Sequence, residues 1–301
     1  MTSITRLLAL IAFSALAACG AKPETDEAPV VTPGYEAVED EGFLIEAVAA
    51  RHLAGGHERK EVDYAGDEKP GTIVVDTHSR RLYFVLEGGR AISYSIAVGR
   101  EGLAFAGSGY IGRMEKWPSW QPTANMIKTR PDLYLKYAAG TPGGLENPLG
   151  ARAMYLYRNG RDSKFRIHGT IDNATIGRAT SAGCIRLFNQ DAIHLFEQVK
   201  TGARVKVRSL EESVAADGAF MDNAWGVAVP ATPENIAQKE LDLVAKAEQE
   251  AAEAAAAIKA AEAEAKLAAK AEKKRLAACR RKGVEEADCP PLIDAAVTAN
   301  G

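Results

Sequence analysis

Between Glu234 and Lys282 the chain contains neither glycine nor proline, and alanine fills 17 of the 35 positions from Val244 to Ala278. Alanine has the highest helix propensity of any residue, so this run has one folding option, a long helix. Thr232 supplies an N-cap and Pro233 suits the first helical position. Glu248, Glu250 and Glu253 fall early, whereas Lys270, Lys273, Lys274, Arg275, Arg280 and Arg281 fall late, an order that complements the helix dipole. At about 1.5 Å per residue, some 50 residues extend about 75 Å. Ile236, Leu241, Val244, Ile258, Leu267 and Leu276 are too sparse for a firm heptad seam. Two readings therefore stand: a solvated spacer, or a weak alanine-rich coiled coil or partner-binding helix.

The whole chain has 301 residues, enough for one large or two small domains with a buried core. Hydrophobic residues at 47% and charged ones at 26% are ordinary for a globular protein and exclude collagen-like or wholly disordered chains. A net charge of -3 offers no basic excess to neutralise a phosphate backbone, so nucleic acid is not an expected partner. Arg6 precedes twelve apolar or small residues, Leu7 to Ala18. That run is too short for about 30 Å of hydrocarbon and matches a signal-peptide core. Residues 20 to 70, with Pro23, Pro29, Pro33 and the Glu39-Asp40-Glu41 step, read as a tether holding one short helix over Phe43 to Ala50.

Thr72 to Thr77, Leu82 to Glu87 and Ala91 to Val98 are short β-branched or aromatic runs separated by turn residues, and they read as a three-strand meander. Ala153 to Tyr157, Phe165 to His168 and Arg204 to Val207 read as further strands. Asn189 to Lys200 reads as a helix with an Asn cap and Ile193, Phe196 and Val199 on one apolar face. Gly107 to Gly112 matches G-x-G-x-x-G, but that motif needs a following helix to meet pyrophosphate, and Trp117-Pro118 interrupts one. These glycines read as turn or loop positions, and no dinucleotide cofactor is expected.

His168 and Cys184 lie sixteen residues apart, the latter within Ser181-Ala182-Gly183-Cys184-Ile185-Arg186-Leu187. A thiol in an exported protein is normally tied into a disulfide, so this one asks for a chemical reason. Nucleophilic catalysis is one, because an imidazole can take the thiol proton and return it to a leaving amine. The amides of Gly183 and Cys184 would form an oxyanion hole. A small core residue is the other reading of Cys184. Cys279 and Cys289, ten residues apart, can pair with each other in an oxidising compartment. His194 reads as a structural or surface histidine, His52, His57 and His78 lie outside any motif, and the absence of paired ligand spacings argues against a metal.

The series His168-Gly169-Thr170, Ser181-x-Gly183-Cys184-Ile185-Arg186-Leu187, Asn189 and Asp191 resembles the active-site signature of the L,D-transpeptidases, the YkuD-type domain. Trp117 to Trp120, Gly140 to Gly144 and Asn147 to Arg152 resemble the peptide-binding loops of the bacterial envelope branch. The resemblance implies a mainly β, sandwich- or barrel-like domain with a few helices, to which the long C-terminal helix is appended. It implies Cys184 as acylated nucleophile and His168 as general base and acid. Arg186, Ser181, Gly183, Gly169 and Thr170 serve on the substrate or oxyanion side. Ala182 stands where some relatives carry a second histidine, leaving His168 as the only histidine of the motif. No cofactor is implied.

The resemblance further implies acyl transfer on peptidoglycan stem peptides: Cys184 attacks the third residue at the L centre of a diamino acid and expels terminal D-alanine. An amine of another stem or of an envelope protein then takes the acyl group. Water as acceptor would make the protein a carboxypeptidase or crosslink hydrolase, and a non-catalytic wall-binding spacer is the reading from another class. Leu16-Ala17-Ala18-Cys19 resembles a bacterial lipobox, and Gly20 after it implies an anchor in the outer membrane facing the periplasm; an ordinary cleaved signal is the other reading. The expected division is a signal at 1–18, a lipidated tether at 19–70, the catalytic domain at 71–208, a linker at 209–232, the helix at 233–282 and a tail at 283–301.

Overall fold

The computed structural model describes residues 31–99, 107–181 and 183–290. The expected signal segment, the candidate anchor Cys19, Ala182 and the end of the tail lie outside that set. In chain order, β1 (Val38–Asp40), β2 (Phe43–Ile45), α1 (Ala50–Leu53) and β3 (Lys60–Asp63) precede the meander of β4 (Ile73–Asp76), β5 (Arg81–Val85) and β6 (Arg90–Ser95). Next come β7 (Val98–Gly99), β8 (Ser108–Lys116), α2 (Ala124–Thr129), α3 (Pro131–Tyr134), β9 (Arg152–Arg158) and β10 (Arg161–His168). The domain continues with β11 (Ala179–Ser181), β12 (Ile185–Arg186), α4 (Asn189–Gln198) and β13 (Arg204–Val207). Finally α5 (Leu210–Asp217), β14 (Phe220–Asp222) and β15 (Ala228–Pro230) lead into α6 (Pro233–Arg281).

Nine strands form one mixed sheet in the order β12-β10-β9-β8-β13-β4-β5-β6-β3. β4 is buried along its whole length because both of its faces are covered. Ile73 and Val75 point into the main core with Leu82, Ile96, Leu156 and Ile167, while Val74 points the other way into a smaller cluster with Tyr64 and Tyr83. This two-residue alternation places one strand in two packing layers. The sheet also curls. Ala97, between β6 and β7, exchanges two 2.9 Å backbone hydrogen bonds with Arg186 on the opposite edge strand. The expected mainly β domain with few helices and a long C-terminal helix is the fold observed.

Three expectations are corrected. The glycine-rich stretch 107–112 is not a loop, because β8 starts at Ser108 and pairs with both β13 and β9. Gly112 is required there by packing: a Cβ would lie 2.3 Å from the Tyr157 ring. Residues 35–63 are not a tether. Tyr35, Val48 and Leu53 bury themselves with Ala97, Ile176 and Phe188, and β3 adds the outermost strand beside β6. Residues 209–232 are not a plain linker either. Ser209 and Glu212 form a capping box on α5, Ser213 donates to the buried Asp76 at 2.9 Å, and β14 pairs with β15.

α6 has no buried residue, and Thr232 caps it by accepting from the Asn235 amide. A disulfide joins Cys279 in its last turn to Cys289. Among the described residues no helix is long and apolar enough to cross a membrane.

Candidate active site

β10 and β12 run parallel, with Ile167 opposite Ile185 and His168 opposite Arg186. Side chains two apart on a strand share a face, so Arg166 and His168 on one strand face the same way as Cys184 and Arg186 on its neighbour. Cys184 leads into β12, whose position is locked on both sides: Leu187 N–H donates to the His168 carbonyl at 2.8 Å, and Ala97 grips Arg186. The residue before the thiol, Gly183, has φ +128, a conformation that glycine adopts readily.

The imidazole of His168 is buried, and its Nδ1 lies 2.6 Å from the Gly169 carbonyl oxygen. A carbonyl only accepts, so Nδ1 carries the hydrogen and the neutral ring keeps its lone pair on Nε2. Burial, reinforced by the Arg186 charge, pushes the imidazole down to about 3. Burial also pushes the Cys184 thiol above its ordinary range, against a backbone hydrogen bond from Arg166 and the charges of Arg166 and Arg186. Both groups therefore rest neutral near pH 7 rather than as a thiolate and imidazolium. Alkylation of Cys184 by iodoacetamide is expected to climb steadily with pH and to keep rising above pH 9, with no step near 6.5. A rate already level at pH 7 would show an ion pair instead.

The half-buried Cys184 lies on the wall of a cleft of ≈ 500 Å³ together with Trp120, Met126, Tyr155, Lys164 and Arg166. Tyr155 is flanked by two guanidinium groups, Arg113 at 3.6 Å and Arg166 at 4.2 Å from its ring centre. Arg166 is fixed in turn by a two-pronged pair with Asp162 at 2.7 and 2.9 Å. Arg113 pairs with Glu115 and Lys164 with Asp162, so each of these basic groups is matched by a carboxylate beside the cleft. Its loops are held from below by Asn147, fully buried, whose amide donates to the carbonyls of Pro118, Thr141 and Pro142 while its oxygen accepts from the Leu149 amide. Gly143 permits the closest approach, since a Cβ would lie 2.0 Å from the Trp117 carbonyl oxygen.

The structure brings His168 and Arg186 onto the adjacent strands β10 and β12, with Gly169 just after the first and Gly183 and Cys184 just before the second. Ser181 sits on β11 opposite Gly99. Thr170 is buried and its hydroxyl accepts from the Asp172 amide, so it shapes the turn after His168. Asn189 is not the helix cap expected from the sequence, since Phe188 occupies that position. Its amide instead staples two loops, accepting from Ala151 N–H and donating to the Thr170 carbonyl, each at 3.0 Å. Gly150 and Gly169 leave the room it needs, for a Cβ at either would come within about 2.2 Å of its oxygen. Asp191 is fully buried, with Tyr35 and Arg59 as partners at 3.1 and 2.9 Å, so it anchors the N-terminal segment. His194 is structural, as expected, sharing a hydrogen bond with Tyr94. Sequence reasoning placed Asn147 in a peptide-binding loop but missed Tyr155, Arg166 and Asp162; only a polar residue at a core-facing strand position could have flagged them. Among the described residues no group of His, Cys, Asp or Glu is arranged to hold a metal ion.

A buried imidazole on the strand next to a cysteine that lines a cleft marks a candidate active site, and its family follows from the relatives of the chain. The model of the L,D-transpeptidase catalytic domain, YkuD, matches residues 70–207. The chain is 38% identical over 138 residues to the L,D-transpeptidase named for the ATP synthase subunits region of Fuscovulum blasticum, covering 45% of this chain and 68% of that one. It is 34% identical over 151 residues to the Probable L,D-transpeptidase ErfK/SrfK of Salmonella typhimurium, covering 48% and 47%. The chain belongs to the L,D-transpeptidase family. It spans about half the length of several curated relatives it matches. Among solved structures, a chain described as a probable carnitine operon oxidoreductase from Brucella melitensis is 42% identical, with a TM-score of 0.36 over 49% of this chain and 91% of that chain. An Enterococcus faecium L,D-transpeptidase is 18% identical, with a TM-score of 0.35 over 46% and 50%.

Proposed function

We propose that this protein transfers acyl groups of peptidoglycan stem peptides through a thioester on Cys184, with His168 carrying the proton. The observation that supports this most is the pairing of a half-buried thiol on a cleft wall with a buried imidazole one strand away whose tautomer the Gly169 carbonyl sets. In the first half-reaction Sγ gives its proton to Nε2 and bonds to the substrate carbonyl carbon. The C–N bond then breaks, and the leaving amine of D-alanine takes the proton from His168. In the second, an acceptor amine attacks the thioester, yields its proton to Nε2, and Sγ leaves and is reprotonated. Backbone amides at Gly183 and Cys184 are assigned to the developing oxyanion. Arg113, Lys164 and Arg166 line the cleft, and the donors left over from their ion pairs suit the carboxylates of a stem peptide.

Transfer and hydrolysis share the first half-reaction, so the acceptor decides between them. Incubating the protein with tetrapeptide muropeptides is expected to give 3-3 dimers, and none with Cys184→Ala. Shortened monomers alone would favour a carboxypeptidase. Muropeptides left unchanged by the unaltered protein would leave a non-catalytic wall-binding role, in which the exposed α6 acts as the spacer. We further propose that Cys19 carries a lipid that holds the protein to the outer membrane on its periplasmic side; Cys19→Ser is then expected to move it to the soluble envelope fraction, and unchanged membrane retention would contradict this.

A further inference from the structure

Among the described residues, five buried side-chain nitrogen or oxygen atoms lack a hydrogen-bond partner. Four of them, Arg80 Nε, Arg178 Nε, His57 Nδ1 and Ser79 Oγ, belong to residues lining a single cavity of ≈ 700 Å³, distinct from the Cys184 cleft. Buried polar atoms are nearly always satisfied, so four of them around one cavity are groups with hydrogen-bonding capacity to offer a ligand. Ser79 is 3% exposed, so its hydroxyl is screened from bulk water.

The charges agree. Arg51, Arg80, Arg81 and Arg178 all line the cavity, and no aspartate or glutamate does. Arg81 is held by neutral acceptors only, the Ser95 hydroxyl and the Gly56 carbonyl, at 2.8 and 2.9 Å. Arg80 donates to the Asp222 carboxylate at 3.1 Å and to the Thr77 and His78 carbonyls, which leaves its Nε for the cavity. Burial and the charges of Arg81 and Arg178 push His57 down to about 4, so the site repels a further proton. His57 is itself seated by Gly177, where a Cβ would lie 2.4 Å from the ring.

We propose that this cavity binds an organic phosphate, its phosphoryl group among the four guanidinium groups and its organic part against Phe220 and Val229 of the β14–β15 hairpin. A planar carboxylate offers its acceptors in one plane, whereas a tetrahedral phosphate presents three oxygens to donors arriving from separate walls. Here the donors come from α1, the start of β5 and the segment before β11. The volume is far larger than one phosphate and ordinary for a small organic ligand. Two of the walls, α1 and the hairpin, lie outside the segment matched by the family model.

The test is binding to the purified full chain, by calorimetry and by the ring resonances of His57, with phenyl phosphate, inorganic phosphate and benzoate as probes. Phenyl phosphate is expected to bind saturably and more tightly than inorganic phosphate, and at least tenfold more tightly than benzoate. Arg178→Gln combined with the exposed Arg51→Gln is expected to weaken it at least tenfold, while Phe220→Ala removes the advantage of the phenyl group. Cys184→Ala is expected to bind as the unaltered chain does, which separates this proposal from the acyl-transfer reading. Absence of saturable binding, equal binding of benzoate, indifference to the arginine substitutions, or loss of binding in Cys184→Ala would each overturn it.

Discussion

Replacing His168 by glutamine is expected to slow formation of the acyl-enzyme by about 100- to 10,000-fold, the usual worth of a positioned general base. Glutamine has an amide N–H that can replace the Nδ1 bond to the Gly169 carbonyl, so the turn around Gly169 and Thr170 keeps its geometry. What it lacks is a basic nitrogen. The cysteine rests neutral because burial raises its pKa, so attack requires a partner that removes the proton as the S–C bond forms. No second histidine stands beside the thiol in the sequence, where Ala182 is found. The fold should survive, which a melting temperature within a few degrees of the unaltered protein would establish. Retention of more than a tenth of the acylation rate would mean that the proton leaves by another route.

Replacing Asp40 by alanine is expected to destabilise the protein by about 3 kcal/mol or more, the cost of leaving a buried charge without its partner. Arg152 is 2% exposed and donates both terminal nitrogens to Asp40 at 2.7 Å, and the Trp117 indole donates to the same carboxylate at 2.7 Å. Removing the carboxylate strands a guanidinium whose Nε already has no partner. At roughly 2–4 °C per kcal/mol for a domain of this size, the melting temperature should fall by about 6 °C or more. Because the Arg152 hydrogen bond holds Asp40 below the usual carboxylate range, its contribution is present above that range and is lost as pH falls through the lowered folded value. The gap between the two proteins should therefore narrow in acid. A shift under about 2 °C at neutral pH would mean that β1 is dispensable to the domain. The substitution should also loosen the loop that carries Trp117 and, three residues on, the cleft residue Trp120.

Those two side chains show where the sequence was readable and where it was not. His168 and Cys184 stand in a compact local signature, and the strands Ile73–Asp76 and Arg204–Val207 announce themselves by β-branched runs. α6 is plain from composition alone. Asp40 lies in an acidic step that reads as solvated chain, because its partner Arg152 is 112 residues away. β8 was hidden for a related reason: Gly109 and Gly112 lower strand propensity, and the need for Gly112 comes from Tyr157 on the neighbouring strand. Asn189 has the composition of a helix cap, and only the approach of Gly150 and Gly169 turns it into a staple between two loops. Each failure lies at a position whose environment is built by residues distant in sequence.

The proposed chemistry depends on a covalent bond to one sulfur, and intact mass spectrometry of the protein mixed with a tetrapeptide stem reads it directly. The expected result is a transient adduct of the substrate mass less D-alanine, located on the peptide containing Cys184, present in the unaltered chain and missing from Cys184→Ala. Product formation without any adduct at Cys184, or an adduct that persists after Cys184→Ala, would contradict it.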